Sequence, residues 1–258
     1  MKLNTIAFLS FFYLAFLPGA NAQVEFIAHR GASYLAPENT LASAKLGWEL
    51  GADAVEIDVN LSKDHRIMVI HDSNTKRTTG QDYQISETHS GILRQLDAGS
   101  FKGEKFKGEK IPFLEEVIEL LPPGKKLVIE LKSRKETIPW LKKTVKRCGK
   151  KEQLLFICFD WETIVKTKKA FPDNVCYWLC GKKDELMERM SDVKRYRLNG
   201  LDLKYSVIDR EVMDRADKLG LDVVAYTVNK PEEAKRLVGL GVKAITTDRP
   251  AWLKSQIE

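Results

Sequence analysis

Three acidic residues and two histidines stand on or directly after short apolar segments of this sequence. The acids are Glu56, Asp58 and Glu130, and the histidines are His29 and His71. A carboxylate in a strand that is buried on both faces is costly unless it is paired or binds a cation. Carboxylate oxygens suit a hard cation such as Ca²⁺ or Mg²⁺. The acids therefore indicate a site for one divalent cation.

The two histidines add acid-base chemistry to this acidic group. Histidine titrates near neutral pH and can give or take a proton. Hydrolysis of a phosphodiester needs both actions, because one group removes a proton from the nucleophile and another protonates the leaving alkoxide. Arg30 could neutralise charge on the phosphoryl oxygens. A structural alternative stays open for Glu130, which could pair with Lys132.

The elements that would position these residues alternate between short apolar or β-branched strands and amphipathic helices. This alternation is typical of an α/β fold with a parallel sheet. Candidate strands cover residues 24–28, 54–58, 67–70, 127–131, 154–158, 175–179, 200–203, 223–226 and 244–246. A chain of 258 residues fits one (β/α)8 barrel, which commonly needs about 250. Nine candidates compete for eight places, so one candidate must either lie outside the barrel or not be a strand.

A polar stretch interrupts the alternation between His71 and Ile111. It contains glycines and a tandem pentapeptide that starts at Phe101 and again at Phe106. The stretch is too long for an ordinary loop between a strand and a helix. We predict that residues 73–112 form an insertion over the barrel mouth, and a solvated surface excursion is the alternative.

Residues 1–22 have the order of a secretory signal peptide. Lys2 precedes an apolar run from Ile6 to Leu17, and the small-residue triplet Ala20-Asn21-Ala22 follows. The apolar run falls short of the roughly 20 residues that cross a bilayer, which disfavours a stable membrane anchor. We predict cleavage after Ala22, a mature domain of residues 23–258, and a periplasmic or secreted protein.

The net charge of +6 is compatible with an anionic partner. The lysines are scattered and no nucleic-acid-binding motif is present, so we expect a small phosphorylated substrate and no nucleic acid. Four cysteines lie in the second half of the chain, at positions 148, 158, 176 and 180. Their spacing does not fit a zinc site, and after export they could pair or remain buried thiols.

An ordered series of motifs runs through the sequence. It comprises His29-Arg30-Gly31, Pro37-Glu38-Asn39-Thr40, Glu56-Ile57-Asp58-Val59, His71-Asp72 with Arg77-Thr78-Thr79, Glu130-Leu131-Lys132 and Ile245-Thr246-Thr247-Asp248. Together they closely resemble the glycerophosphodiester phosphodiesterase family over nearly all of the predicted mature chain. The resemblance implies a TIM (β/α)8 barrel with a small insertion after the third strand. It also implies cation-dependent hydrolysis of glycerophosphodiesters to glycerol 3-phosphate and an alcohol.

The resemblance extends to individual positions around the predicted cation. Glu56, Asp58 and Glu130 match the family's metal ligands, which take one divalent cation, Ca²⁺ or Mg²⁺. His29 and His71 match its acid and base pair. Which histidine acts as the acid and which as the base stays open, because that depends on geometry.

Five further positions match family residues that contact or surround the substrate. They are Arg30, Lys132, Glu38, Asn39 and Tyr226. Arg30 matches a phosphate-contacting arginine, and Lys132 matches a lysine near the same oxygens. Glu38 and Asn39 match the motif but could instead support the first loop or cap its helix. Tyr226 stands where the family commonly has tryptophan, and it could contact the substrate or only pack at the top of the barrel.

Two rival functions stay open at this level. The same scaffold could cleave a lysophospholipid or another phosphodiester. Alternatively, the barrel could be catalytically silent and bind phosphorylated head groups, which its basic charge and its predicted export would suit. The intact pair His29 and His71 favours an enzyme over a binding protein.

Overall fold

The computed structural model describes residues 23–257, and the predicted signal peptide lies outside the described residues. The strands are β1 (Glu25–Ala28), β2 (Ala54–Leu61), β3 (Ile67–Val69), β4 (Lys126–Leu131), β5 (Leu154–Cys158), β6 (Val175–Cys180), β7 (Gly200–Lys204), β8 (Asp222–Tyr226) and β9 (Ala244–Thr247). The α-helices are α1 (Leu41–Glu49), α2 (Lys76–Thr79), α3 (Ser90–Leu93), α4 (Leu114–Leu120), α5 (Ile138–Cys148), α6 (Trp161–Ala170), α7 (Lys183–Arg195), α8 (Arg210–Leu219), α9 (Pro231–Leu240) and α10 (Pro250–Ser255). None of these helices is long and apolar enough to cross a membrane.

Eight parallel strands close into a barrel. Their order is β1-β2-β4-β5-β6-β7-β8-β9, and β9 pairs with β1 to complete the ring. Strand β3 lies outside the ring and runs antiparallel to the end of β2, with Val59 opposite Val69 and Leu61 opposite Ile67. The predicted TIM barrel is confirmed, and β3 is the ninth candidate strand for which the barrel has no place.

Side chains alternate across the barrel wall, as the two-residue period of a strand requires. On β4, Leu127, Ile129 and Leu131 join the large core between the barrel and its helices, so Val128 and Glu130 face the interior. A smaller apolar cluster fills the lower interior, formed by Ile27, Ala54, Val128, Ile157, Tyr177, Leu179, Val224 and Ala244. The same period on β2 turns Glu56 and Asp58 inward.

Polar side chains fix where the helices around the barrel begin. Thr40 caps α1, and its hydroxyl accepts a hydrogen bond from the backbone N–H of Ser43. Asp160 and Asp209 cap α6 and α8 in the same way. Such caps satisfy backbone N–H groups that a helix leaves free at its start. The turn from β1 to α1, which carries the first motif, therefore has a defined end.

The segment between β3 and α4 folds around its own small core. Met68, Ile70, Ile85, Leu93, Leu96, Ala98 and Ile111 form this cluster. The carboxylate of Asp97 accepts hydrogen bonds from the backbone N–H groups of Gly99, Ser100 and Gly108, which shapes the loop of the tandem pentapeptide. Lys102 donates a hydrogen bond to the carbonyl oxygen of Ser33. The predicted insertion thus packs beside the loop that follows β1.

The four cysteines carry free thiols. Three of them, Cys158, Cys176 and Cys180, are buried in strands, and Cys148 ends α5. Burial raises the pKa of the Cys158 and Cys176 thiols to about 12. A thiol with so high a pKa is a poor nucleophile at neutral pH. The cysteines therefore act here as small apolar side chains.

Candidate active site

The carboxyl ends of the strands surround a cavity of about 210 Å³. Its walls include seven of the predicted site residues, His29, Arg30, Glu56, His71, Glu130, Lys132 and Tyr226. Ile157, Phe159, Leu179, Asp202, Thr227 and Thr246 complete the lining. The barrel thus gathers residues from distant parts of the sequence at the end where TIM-barrel enzymes hold their active sites.

Three buried carboxylates form an acidic cluster, of which Glu56 and Glu130 line this cavity and Asp58 does not. Glu56, Asp58 and Glu130 each offer an oxygen, and these oxygens lie within 4.8 Å of one another. Burial, together with the neighbouring Asp58, raises the pKa of Glu130 to about 7. Burial and the other two carboxylates also raise the pKa of Glu56 well above its usual range. An all-oxygen set of this kind could hold a hard metal ion, whose charge would offset the repulsion.

Two cations and an amide hold Asp58 within the cluster. Burial alone would raise its pKa, but Lys132 and Arg30 lower it to about 2. The Lys132 Nζ atom lies 3.1 Å from Asp58 Oδ1 and 2.7 Å from Glu130 Oε1. Asn39 donates a hydrogen bond from Nδ2 to Asp58 Oδ2 at 2.8 Å, and the Asp58 N–H donates to Asn39 Oδ1 at 3.0 Å. Asp58 is therefore ionised and fixed in orientation.

The loop after β1 takes an uncommon backbone conformation to reach the cluster. Arg30 and Asn39 both have positive φ, +53° and +57°. Gly31 has φ +78°, and a Cβ atom there would lie 2.4 Å from the carbonyl carbon of Ser43. This geometry lets the Arg30 N–H donate a hydrogen bond to Glu56 Oε2 at 2.9 Å. Strain of this kind persists where the surrounding structure enforces it, most often at functional sites.

Glu38 joins two arginines behind the cavity wall. Its Oε1 accepts a hydrogen bond from Arg30 Nη1 at 2.8 Å, and Arg77 donates from both terminal nitrogens at 2.7 and 2.8 Å. Neither Glu38 nor Asn39 is among the cavity-lining residues of the described chain. Their contacts agree with the supporting role that the sequence left as an alternative. Their predicted contact with the substrate stays a prediction.

Each histidine is held through Nδ1 by an aspartate. The Nδ1 atom of His29 lies 2.7 Å from Asp248 Oδ1, and that of His71 lies 2.7 Å from Asp72 Oδ1. A neutral histidine that donates from Nδ1 keeps Nε2 as its proton acceptor. Burial lowers the pKa of His71, although Asp58 opposes the shift. The sequence motifs contain both aspartates, but no local pattern shows that residues 219 positions apart would pair.

The aspartate contacts lead to a prediction about Asp72→Asn and Asp248→Asn. We expect each change to lower kcat by about 10- to 100-fold, since the histidine remains but loses its fixed tautomer. KM for the substrate should change little, because neither aspartate lines the cavity. Steady-state kinetics would measure kcat and KM separately for each variant. Asp82→Asn, at an exposed aspartate of the insertion, is the control, and equal losses in all three variants would contradict the positioning role.

The cavity wall also carries an aromatic pair and a fourth buried acid. The Tyr226 ring meets the Phe159 ring edge-on, with centroids 5.9 Å apart. Asp202 lies on β7 and is 3% exposed, and burial raises its pKa to about 8. Asp202 is not among the site residues predicted from the sequence. Its signal is the same as for Glu56, a carboxylate between apolar residues of a short strand.

The site agrees with what comparison with known proteins shows. Residues 29–252 match the model of the Glycerophosphoryl diester phosphodiesterase family. The chain belongs to this family. The predictions of the family and of a phosphodiester-hydrolysing enzyme are thereby confirmed.

Individual relatives agree with the family assignment over most of the chain. A glycerophosphodiester phosphodiesterase of Caldanaerobacter subterraneus subsp. tengcongensis is 36% identical, with 88% of this chain and 95% of the relative covered. One from Bacillus subtilis is 29% identical, with 87% and 83% covered. The solved structure of an Oleispira antarctica phosphodiesterase in complex with the product sn-glycerol-3-phosphate is 33% identical, with a TM-score of 0.85 over 90% of this chain and 96% of that one.

Proposed function

We propose that this protein hydrolyses glycerophosphodiesters to glycerol 3-phosphate and an alcohol, with one divalent cation and a histidine acid-base pair. One observation carries the proposal. A single cavity is lined by two of the three clustered carboxylates, by two histidines held by aspartates, and by the cations Arg30 and Lys132. The related phosphodiesterase that binds the product sn-glycerol-3-phosphate supports the same substrate class.

Glu56, Asp58 and Glu130 would hold the cation, and their chemistry does not distinguish Ca²⁺ from Mg²⁺. When bound, the cation supplies Lewis-acid polarisation of a phosphoryl oxygen. Arg30 lines the cavity beside this cluster and can bind a phosphate oxygen through its guanidinium group. Lys132 keeps Asp58 ionised and presents a second positive charge to the same oxygens.

His29 and His71 divide the proton transfers of the reaction. Both line the cavity, and both keep Nε2 for proton transfer because Nδ1 faces an aspartate. One accepts a proton from the nucleophile, and the other protonates the leaving alkoxide. The nucleophile is either water, which gives glycerol 3-phosphate directly, or a glycerol hydroxyl, which gives a cyclic phosphate that water then opens. Asp248 and Asp72 stabilise the imidazolium that forms when a histidine has taken up a proton.

A substrate panel tests the proposed reaction. We expect turnover of at least one of glycerophosphocholine, glycerophosphoethanolamine and glycerophosphoglycerol in the presence of Ca²⁺ or Mg²⁺, with glycerol 3-phosphate as a product. An enzyme-coupled assay for glycerol 3-phosphate would detect it. Turnover of lysophospholipids alone would favour the rival substrate class. Absence of turnover with every member of the panel would contradict the enzymatic proposal.

We further propose that the protein acts after export, in the periplasm or outside the cell. The order of residues 1–22, with a basic start, an apolar run and a small-residue triplet, supports this location. Its substrates would then be small diesters that are available outside the cytoplasm, and no nucleic acid is required as a partner.

A further inference from the structure

Asp202 is a buried acid in the barrel interior whose surroundings do not satisfy it. Its neighbours on β7, Leu201 and Leu203, pack into the core between the barrel and its helices, so Asp202 points the opposite way. The side chain is 3% exposed, and its Oδ1 atom has no hydrogen-bond partner in the described part of the chain. A buried polar atom that lacks a partner reduces the stability of a fold.

A second aspartate in the barrel shows what a satisfied acid looks like in this fold. Asp222 begins β8 at the other end of the barrel. Its Oδ2 accepts hydrogen bonds from the Tyr177 hydroxyl at 2.9 Å and from Lys243 Nζ at 2.6 Å. The fold therefore supplies partners to the half-buried Asp222 and leaves Oδ1 of the buried, cavity-lining Asp202 without one. An unpaired group that persists in a binding site calls for a partner from outside the chain.

The position of Asp202 indicates which part of a substrate would reach it. Asp202, Leu179 and Ile157 are each 3% exposed and form the floor of the active-site cavity. Phe159, by contrast, is 50% exposed and marks the open rim. Asp202 is near enough to Glu130 for their charges to interact, but it is not one of the three clustered carboxylates. A group that touches Asp202 must therefore lie deep in the cavity beside the phosphoryl position.

The two halves of a glycerophosphodiester differ in what they could place there. The glycerol half carries two free hydroxyl groups and is common to the whole substrate class, whereas the head-group alcohol varies in size and charge. A buried floor suits the constant half, and an open rim suits the variable one. We propose that Asp202 hydrogen-bonds a hydroxyl group of the glycerol half and thereby selects diesters that contain glycerol. This inference rests on the proposed function.

The test compares substrates that differ by one hydroxyl group. Glycerophosphocholine is assayed beside 3-hydroxypropyl phosphocholine and 2-hydroxypropyl phosphocholine, each of which lacks one of the two hydroxyls. The wild-type enzyme should prefer glycerophosphocholine over at least one analogue by about tenfold or more in kcat/KM, because the analogue leaves Asp202 unpaired. Asp202→Leu should abolish that preference, mainly through a higher KM for glycerophosphocholine. Asp202→Asn keeps a polar group of similar size and should therefore retain part of the preference for glycerophosphocholine.

The thermal stability of the variant distinguishes a role of Asp202 in substrate recognition from a role in the stability of the fold. Because Asp202→Leu removes an unsatisfied buried group, its Tm should equal or exceed that of the wild type. The inference is overturned if Asp202→Leu keeps the wild-type preference for glycerophosphocholine. It is also overturned if this variant has a lowered Tm and loses activity equally on all three substrates.

Product binding tests the inference independently of turnover. Isothermal titration with sn-glycerol 3-phosphate and with inorganic phosphate, in the presence of Ca²⁺, should show that Asp202→Leu weakens only the first, by about tenfold. The role of Asp202 is overturned if the variant binds both ligands equally more weakly, or if it binds both as tightly as the wild type does. If the wild type binds sn-glycerol 3-phosphate but hydrolyses no diester, the proposed reaction fails, and the binding contrast still decides the role of Asp202.

Discussion

Turnover of the preferred glycerophosphodiester should fall by roughly 10² to 10⁴ when His29 or His71 is replaced by alanine, which is the contribution typical of acid-base groups. Each histidine lines the cavity with its Nδ1 atom held by an aspartate, so removal of the ring removes a positioned proton carrier. The loss should appear in kcat rather than in KM. Steady-state kinetics at saturating cation would measure it.

The same variants distinguish an enzyme from a barrel that only binds head groups. The three carboxylates, Arg30 and Lys132 are unchanged, so affinity for sn-glycerol 3-phosphate should stay within a few-fold of the wild type. His89→Ala is the matched control, because His89 is exposed on the insertion and does not line the cavity. Full turnover by His29→Ala and His71→Ala would remove both histidines from the proposed mechanism.

Much of the site could be predicted from sequence because its signals are local. Glu56 and Asp58 are two residues apart on one strand, so the strand period alone turns them to the same face. The carboxyl ends of parallel barrel strands converge, which brings Glu130 to the same place. An acid within an apolar strand is conspicuous without any knowledge of its partners. The cluster was therefore predictable before its distances were known.

Other features depend on contacts that no local pattern contains. The periodicity of residues 67–70 indicates a strand but does not say which strand it pairs with, and β3 proves to be an antiparallel extension of β2 outside the barrel. Asp248 reaches His29 only because β9 closes the ring against β1. Asp202 carries the same local signal as Glu56, and only its lack of a hydrogen-bond partner depends on the closed barrel. Tertiary closure, rather than propensity, determines these features.

Addition of Ca²⁺ or Mg²⁺ should raise the Tm of cation-free protein, and the increase should be larger at pH 8 than at pH 5.5. The pKa of Glu130 in the folded chain is about 7, against an ordinary value of 4.5, and that of Glu56 is also raised. A carboxyl with a raised folded pKa binds its proton more tightly in the folded state. Without cation, its protonation therefore favours folding at low pH, and this contribution is lost as the pH rises from about 4.5 through about 7.

Cation binding has the opposite dependence on pH. Below pH 7 a cation must displace a proton from Glu130, whereas above it that carboxyl is already ionised, and the raised pKa of Glu56 adds proton competition in the same direction. A ligand that binds only the folded state adds RT ln(1 + [L]/Kd) to its stability, so tighter binding at high pH gives a larger shift in Tm. Differential scanning calorimetry with and without cation, at both pH values, would measure the shift.

Variants of the cluster identify the residues that are responsible. Asp58→Asn should abolish the cation-induced rise in Tm and cation-stimulated turnover together, because it removes a central carboxylate that Lys132 and Arg30 keep ionised. Glu162→Gln, at an exposed glutamate paired with Lys166, should leave both intact. A rise in Tm that is equal at the two pH values, or that survives Asp58→Asn, would place the cation outside the acidic cluster. A rise that depends on pH and on Asp58 would connect the raised pKa values of the cluster directly to the proposed metal requirement of catalysis.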